Sequence, residues 1–294
     1  MPDRVLVTGA SGFVGRHLRQ RLGDSFIPFE ADVLDASAVR AAVKGARPDA
    51  VVHLAAESSV AASWRDASAA WTVNVIGTVN LLEAVQSEQP EARILFTSTG
   101  EVYGRAETLP TPESSPVEPL SPYAATKAAA EIACGQVARR GVNVVVARAF
   151  NHEGPGRDER FAVGSWAAQV ARLEEAGGGV LEVGDLSAER DISDVRDVCR
   201  AYTLLLDESV EPGTYNVASG RSVAMRDVLA QIVSFARCSI DVESRAERIR
   251  PAEIPRMLGD ATRIRQATGW EPEIPLEQTL VETLDAARAA VKVG

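Results

Sequence analysis

The chain has 294 residues, 46% hydrophobic and 24% charged, which suits a globular protein of one large domain or two unequal ones. Its formal net charge of −10 argues against nucleic acid as a partner and leaves any anionic ligand to local arginines and helix N-termini. Cys134, Cys199 and Cys238 are widely spaced and His17, His53 and His152 are scattered, so no metal site is expected. With no signal peptide or long apolar span, a cytoplasmic protein away from membranes is expected.

Arg4 to Thr8 is a short run fit for a buried parallel strand. It leads into Gly9-Ala10-Ser11-Gly12-Phe13-Val14-Gly15 and a helical pattern through Leu18 and Leu22. In G-x-x-G-x-x-G the first glycine permits a tight turn, the second lets backbone approach a pyrophosphate, and the third packs helix on strand. Glycine trios also occur in ordinary turns; the place between a strand and a helix makes this one a dinucleotide signal. Phe26 to Phe29 is the next strand, and Glu30 and Asp32 beyond it are both candidates for the adenosine ribose. No arginine immediately follows that strand to clamp a 2′-phosphate, and NAD and NADP both stay open.

Ala36 to Lys44 predicts a helix and Ala50 to Ala56 a central strand, with His53 read as a core histidine. The small residues ending that strand let a cofactor lie against backbone. Asn74 to Val85 has an amphipathic helix pattern, and Ala92 to Ser98 is a strand that delivers Thr99. This alternation predicts an α/β fold, a Rossmann-like doubly wound parallel sheet. Leu109 to Pro122 reads as a surface loop. Tyr123 and Lys127 then stand one helical turn apart on one face. Two such residues are most often accidental surface neighbours, but a cation beside a phenol also favours phenolate and tunes it for proton transfer.

Asn143 to Arg148 is a further strand, Phe161 to Glu175 a helix and Gly177 to Gly179 a loop. The segment from Arg190 to Val198 enters a helix through Leu206, and Thr214 to Ala218 returns to the sheet. Two helical segments follow Arg250 to Arg256. The expected organisation is a dinucleotide-binding domain over 1–150 with a returning segment at about 192–218. A smaller, discontinuous C-terminal substrate lobe takes 151–191 and 219–294.

The glycine loop, Thr99 and Tyr-x-x-x-Lys together resemble the extended short-chain dehydrogenase/reductase family, through Arg148-Ala149-Phe150-Asn151, Arg190-Asp191 and Thr268-Gly269-Trp270. The resemblance implies Tyr123 as general acid/base, Lys127 as the group that lowers its pKa and holds the nicotinamide ribose, and Thr99 as a hydrogen-bond donor to the reacting oxygen. It implies an NAD or NADP site made by Gly9, Ser11, Gly12, Phe13, Val14, Gly15, Asp32, Val33, Leu54, Ala55, Ala56, Thr97, Tyr123, Lys127 and Phe150. Intact Thr99, Tyr123 and Lys127 argue against a non-catalytic dinucleotide sensor.

Within that family, His53 to Val60, Phe150 to Gly156, Leu181 to Leu186, Arg190 to Val198 and Arg250 to Glu253 are similar to the GDP-6-deoxy-D-mannose reductase group. That implies NAD(P)H-dependent reduction at C4 of GDP-4-dehydro-6-deoxy-D-mannose to GDP-D-rhamnose. Thr99, Asn151, Val183, Arg190, Arg250 and Glu253 would contact the substrate, with Arg148 structural. Glu101 corresponds to the glutamate that removes the C5 proton in related dehydratases. Gly100 stands where those enzymes carry aspartate or serine. A dehydratase or 4-epimerase that retains its cofactor is the alternative. The resemblance also implies a homodimer through Asn74–Val85 and Ala124–Ala138, paired as a four-helix interface.

Overall fold

The computed structural model describes residues 1–245 and 254–292. Its first half runs β1 (Val5–Thr8), α1 (Phe13–Leu22), β2 (Phe26–Pro28), α2 (Ala36–Ala46), β3 (Ala50–His53), α3 (Val60–Arg65), α4 (Ala67–Trp71), α5 (Gly77–Glu88), β4 (Arg93–Thr99), α6 (Pro122–Ala138) and β5 (Val144–Ala149). The second half follows with β6 (Asn151–Glu153), α7 (Ala162–Ala176), β7 (Gly179–Val183), β8 (Glu189–Asp194), α8 (Val195–Leu205) and β9 (Gly213–Val217). After these come β10 (Ser222–Ala224), α9 (Met225–Ser234), β11 (Ile240–Ser244), α10 (Thr262–Thr268) and α11 (Leu276–Val291).

The main sheet has the order β2-β1-β3-β4-β5-β9, and every pairing in it is parallel. Its strands are buried on both faces because their side chains alternate between two cores. Val5, Val7, Val52, Leu95 and Val145 join α1 and α8 in one cluster. Leu6, Val51, Ile94, Phe96 and Val146 join α2, α5 and α6 in the other. Chain order reverses between β1 and β3, and such a switch point opens a crevice at the carboxyl ends of the strands. Local chemistry sets the helix starts: Asp35 caps α2 by accepting from the Ser37 and Ala38 amides, and Ser121 caps α6 with Pro122 in its first turn.

The smaller lobe contains a three-stranded sheet, β10-β8-β6, and a two-stranded one, β11-β7. The helices α7, α9 and α11 cover a separate core around Trp166, Leu181, Ile192, Leu229 and Leu284. Three expectations change here. Residues 190–194 form β8 before the helix, which starts at Val195 with Asp194 as its cap. Gly179 opens β7 instead of closing a loop, and β-carbons on Gly178 and Gly179 would crowd Ser239 and Leu173. Asn74 lies in a π-turn (Thr72–Ile76) that precedes α5. Ala261, Ile264 and Trp270 pack into the main-sheet core with α1 and α8, although they fall inside 219–294.

Candidate active site

A cleft of about 800 Å³ runs along the carboxyl ends of β1, β3 and β4 and is closed on the far side by β6, β7 and β8. Gly9, Ser11, Gly12, Phe13, Val14 and Gly15 line its floor. Gly9 has φ +66°, and a β-carbon on Gly15 would sit 2.5 Å from the Gly9 carbonyl oxygen. No side chain caps α1, whose N-cap is Gly12, so the helix N-terminus is left for an anion. Leu54, Ala55 and Ala56 continue the wall from β3, and a β-carbon on Gly9 would lie 2.9 Å from the Ala55 nitrogen. These residues fit a dinucleotide diphosphate drawn close to backbone. Thr97 and Phe150 also line the cleft; Thr97 donates to the His53 carbonyl at 2.7 Å.

Asp32 and Val33 do not line this cleft. They follow β2 at the same edge of the sheet, where Asp32 is exposed and accepts from the Leu34 amide at 2.9 Å. Val33 is buried against Gly77, and its carbonyl accepts from Asn80 at 2.9 Å.

Thr99, Glu101, Tyr123 and Lys127 converge on the cleft. Thr99 ends β4 and caps a short 3-10 turn by accepting from the Glu101 amide at 3.2 Å. Tyr123 sits in the first turn of α6, where its amide donates to Ser63 Oγ at 3.1 Å. One turn on, the buried Lys127 ammonium rests over the Phe96 ring, 4.4 Å from its centroid.

The electrostatics depart from expectation. Burial and then the Glu101 carboxylate push the Tyr123 phenol above its ordinary range, while contact with Thr99 and the charge of Arg157 pull the other way. The Lys127 pKa is lowered to about 8 by burial, and its charge also bears on His53 and Cys134. Tyr123 is therefore a protonated donor at neutral pH.

Behind these side chains lies a polar scaffold. His53 is a core histidine bridging Thr8 at 2.7 Å and Thr78 at 3.0 Å, and burial lowers its pKa to about 3. Buried Asn74 ties the loop after β3 to α6: it accepts from the Glu57 amide at 2.8 Å and donates to Thr126 Oγ1 at 2.8 Å. Arg148 is structural as expected, paired with Glu131 at 2.6 Å and stacked over Tyr103.

On the opposite wall, Asn151, Val183 and Arg190 reach the cleft from β6, β7 and β8. Arg190 donates to the Glu189 and Ile254 carbonyls at 2.9 and 2.8 Å. Buried Asp191 accepts from the Ser219, Gly220 and Gly259 amides and so gathers two segments behind it. Arg250 and Glu253 lie outside the described residues. His152 lines the cleft, donates from Nδ1 to the Phe150 carbonyl at 3.0 Å, and is lowered to about 4 by burial and by Arg157.

With this geometry in hand, comparison with known proteins is informative. The family model described as GDP-mannose 4,6 dehydratase matches residues 19–283. GDP-6-deoxy-D-mannose reductase of Pseudomonas aeruginosa is 36% identical over 291 residues, covering 95% of each chain. The chain belongs to this family. Among solved structures of similar fold, RMD from Pseudomonas aeruginosa complexed with NADPH has a TM-score of 0.90 at 36% identity, covering 98% of this chain and 99% of that one. The Thermus thermophilus UDP-glucose 4-epimerase complex with NAD has a TM-score of 0.85 at 30% identity, with coverages of 98% and 99%.

Three cleft-related residues had no signal of their own in the sequence. Asn74 belonged to a helix pattern, Trp64 to a short unpatterned segment, and Arg157 to a polar turn of alternating charge. Trp64 and Arg157 line the cleft, and Asn74 braces its wall.

Proposed function

We propose that this chain is an NAD(P)H-dependent reductase that converts the C4 ketone of GDP-4-dehydro-6-deoxy-D-mannose to GDP-D-rhamnose. The observation that carries the reading is the convergence of Thr99, Tyr123 and Lys127 on one cleft, with Gly100 beside them. A β-carbon on Gly100 would lie 2.9 Å from the buried Phe150 ring, so the place of a second acid or hydroxyl is filled by an aromatic side chain. That favours reduction over water loss. Similarity across nearly the whole chain to a GDP-6-deoxy-D-mannose reductase supports the substrate.

When bound, the reduced nicotinamide supplies the hydride. As charge builds on the C4 oxygen, Tyr123 donates its phenolic proton and Thr99 donates a hydrogen bond to the same atom. Glu101 acquires a task in this scheme: its negative charge helps keep Tyr123 protonated, the form reduction starts from. Lys127 holds the nicotinamide ribose. Asn151, Val183 and Arg190, with Arg250 and Glu253, hold the sugar nucleotide, and Asp32 and Val33 the adenosine end of the cofactor.

The same proposal divides the labour as the sequence suggested, with 1–150 and the returning segment on the cofactor side and the smaller lobe on the sugar-nucleotide side. It includes a cytoplasmic homodimer. Ile76 and Ile132, on the two segments named for the four-helix interface, are 51% and 73% exposed. Among the described residues no helix is long and apolar enough to cross a membrane.

The test is purified protein with GDP-4-dehydro-6-deoxy-D-mannose and NADPH or NADH. Stoichiometric loss of nicotinamide absorbance is expected, with NMR identifying rhamnose and not its C4 epimer, talose. No oxidation of either cofactor would refute the reductase.

A further inference from the structure

Arg157 is a cation in the cleft that the reaction above leaves without a task. It lies between β6 and α7, with its side chain 11% exposed. Its guanidinium stacks on Phe161, 3.7 Å from the ring centroid, and over Phe13 of the glycine loop at 4.9 Å. Nε lies 3.1 Å from Glu153 Oε2. These contacts put two rings and one carboxylate against the guanidinium. Among the described residues the two Nη atoms donate no hydrogen bond to protein, and they are not sealed from the cleft that Arg157 lines.

The other arginines of the cleft have protein hydrogen-bond partners, and the Lys127 ammonium rests over Phe96. Arg16 donates to the Ser11 and Gly156 carbonyls, Arg160 to Asp158, and Arg190 to two carbonyls. The first turn of α7, Ala162 to Ser165, carries no basic residue. The Nη edge is left to the cleft, where two oxygens of a phosphate group would meet it in the planar fork geometry arginine favours.

We propose that Arg157 is a binding residue whose Nη edge grips a diphosphate in the cleft, with Phe13, Phe161 and Glu153 holding the guanidinium in orientation. The proposal rests on the reading that the cleft takes a dinucleotide and a nucleoside diphosphate sugar, both of which carry that group. Phe13 belongs to the glycine loop and Phe161 precedes α7, so Arg157 stands between the two ligands. The competing account is a purely structural ion pair that fastens the 153–157 turn to Phe13.

Calorimetric titration of GDP, NADPH and guanosine into wild type, Arg157→Gln, Arg157→Lys and Glu153→Gln separates these accounts. Arg157→Gln is expected to weaken one diphosphate ligand by about 10–100-fold with guanosine unaffected. Arg157→Lys should restore part of the loss, and Glu153→Gln, which loosens the orientation of the guanidinium, should weaken the same ligand by less than Arg157→Gln does. Loss confined to GDP assigns the sugar nucleotide's diphosphate; loss confined to NADPH assigns the dinucleotide's. Unchanged affinity for both overturns the proposal. If Arg157→Gln melts too low to titrate, the double variant Glu153→Gln/Arg157→Gln removes both buried charges and is scored in the same way. Wild type that binds NADPH but not GDP contradicts the substrate reading, and the NADPH arm alone then decides Arg157.

Discussion

The main sheet and the smaller lobe face each other across one cleft and are built by different means. The sheet is made of apolar runs that bury both faces, joined by helices close in sequence. In the lobe, β8 pairs with β6 and β10, β7 pairs with β11, and buried carboxylates gather the pieces. Asp191 holds three backbone amides, Asp194 at the end of β8 accepts from Thr279 at 2.8 Å, and Asp197 on α8 of the sheet side accepts from the Glu273 and Ile274 amides at 2.9 Å and so ties the two regions together. The lesson is that the main sheet rests on area buried between segments close in sequence, while the smaller lobe adds polar crossings to its own apolar core.

The hardest break is chemical and falls on the sheet side. Tyr123→Phe should cut turnover by about a thousandfold or more while NADPH affinity stays within about twofold, read by steady-state kinetics and calorimetry. Normal turnover would remove Tyr123 as the acid. Leu95→Ala, at the centre of the sheet, should cost about 2–5 kcal/mol in denaturant unfolding and leave GDP affinity of the folded fraction unchanged. Asp191→Ala strands three amides and should cost about 2–4 kcal/mol, but here GDP affinity should fall as well, because Arg190 is its neighbour in β8. Equal GDP affinity in the two variants would erase the distinction between the regions.

The smallest effect is a pH dependence. His53 and His152 both have folded pKa values below the ordinary 6.5, at about 3 and about 4. The unfolded chain takes up protons first as pH falls through 6.5, so each histidine costs stability on the acid side. For His53 the loss between pH 7 and 5 should be about 1–2 kcal/mol, and smaller for His152, whose ring is partly open to the cleft. His53→Gln should flatten the melting temperature against pH over that range more than His152→Gln does. An unchanged slope in His53→Gln would mean the imidazole is not held neutral by burial.

Most of the main sheet was legible in the sequence alone. The glycine loop, the alternation of strand and helix, His53 as a core residue and the one-turn spacing of Tyr123 and Lys127 are local patterns, and local patterns survive in sequence. The small sheets were not legible, because Glu189–Asp194 and Asn151–Glu153 are short and polar and become strands only when partners distant in sequence reach them. Arg157 was missed for the same reason: its rings, Phe13 and Phe161, and its carboxylate, Glu153, come together only in the folded chain.

By itself the sequence determined the parallel sheet, the glycine loop that leads into α1 and the one-turn spacing of Tyr123 and Lys127, since each depends on residues within a turn or a strand of one another. Tertiary structure decided the state of that tyrosine. Burial and the Glu101 carboxylate push the Tyr123 phenol above its ordinary range, and the Lys127 ammonium one turn on rests over Phe96. A side chain's charge environment is set by what packs around it, and spacing along a helix brings two groups near without aiming them at each other.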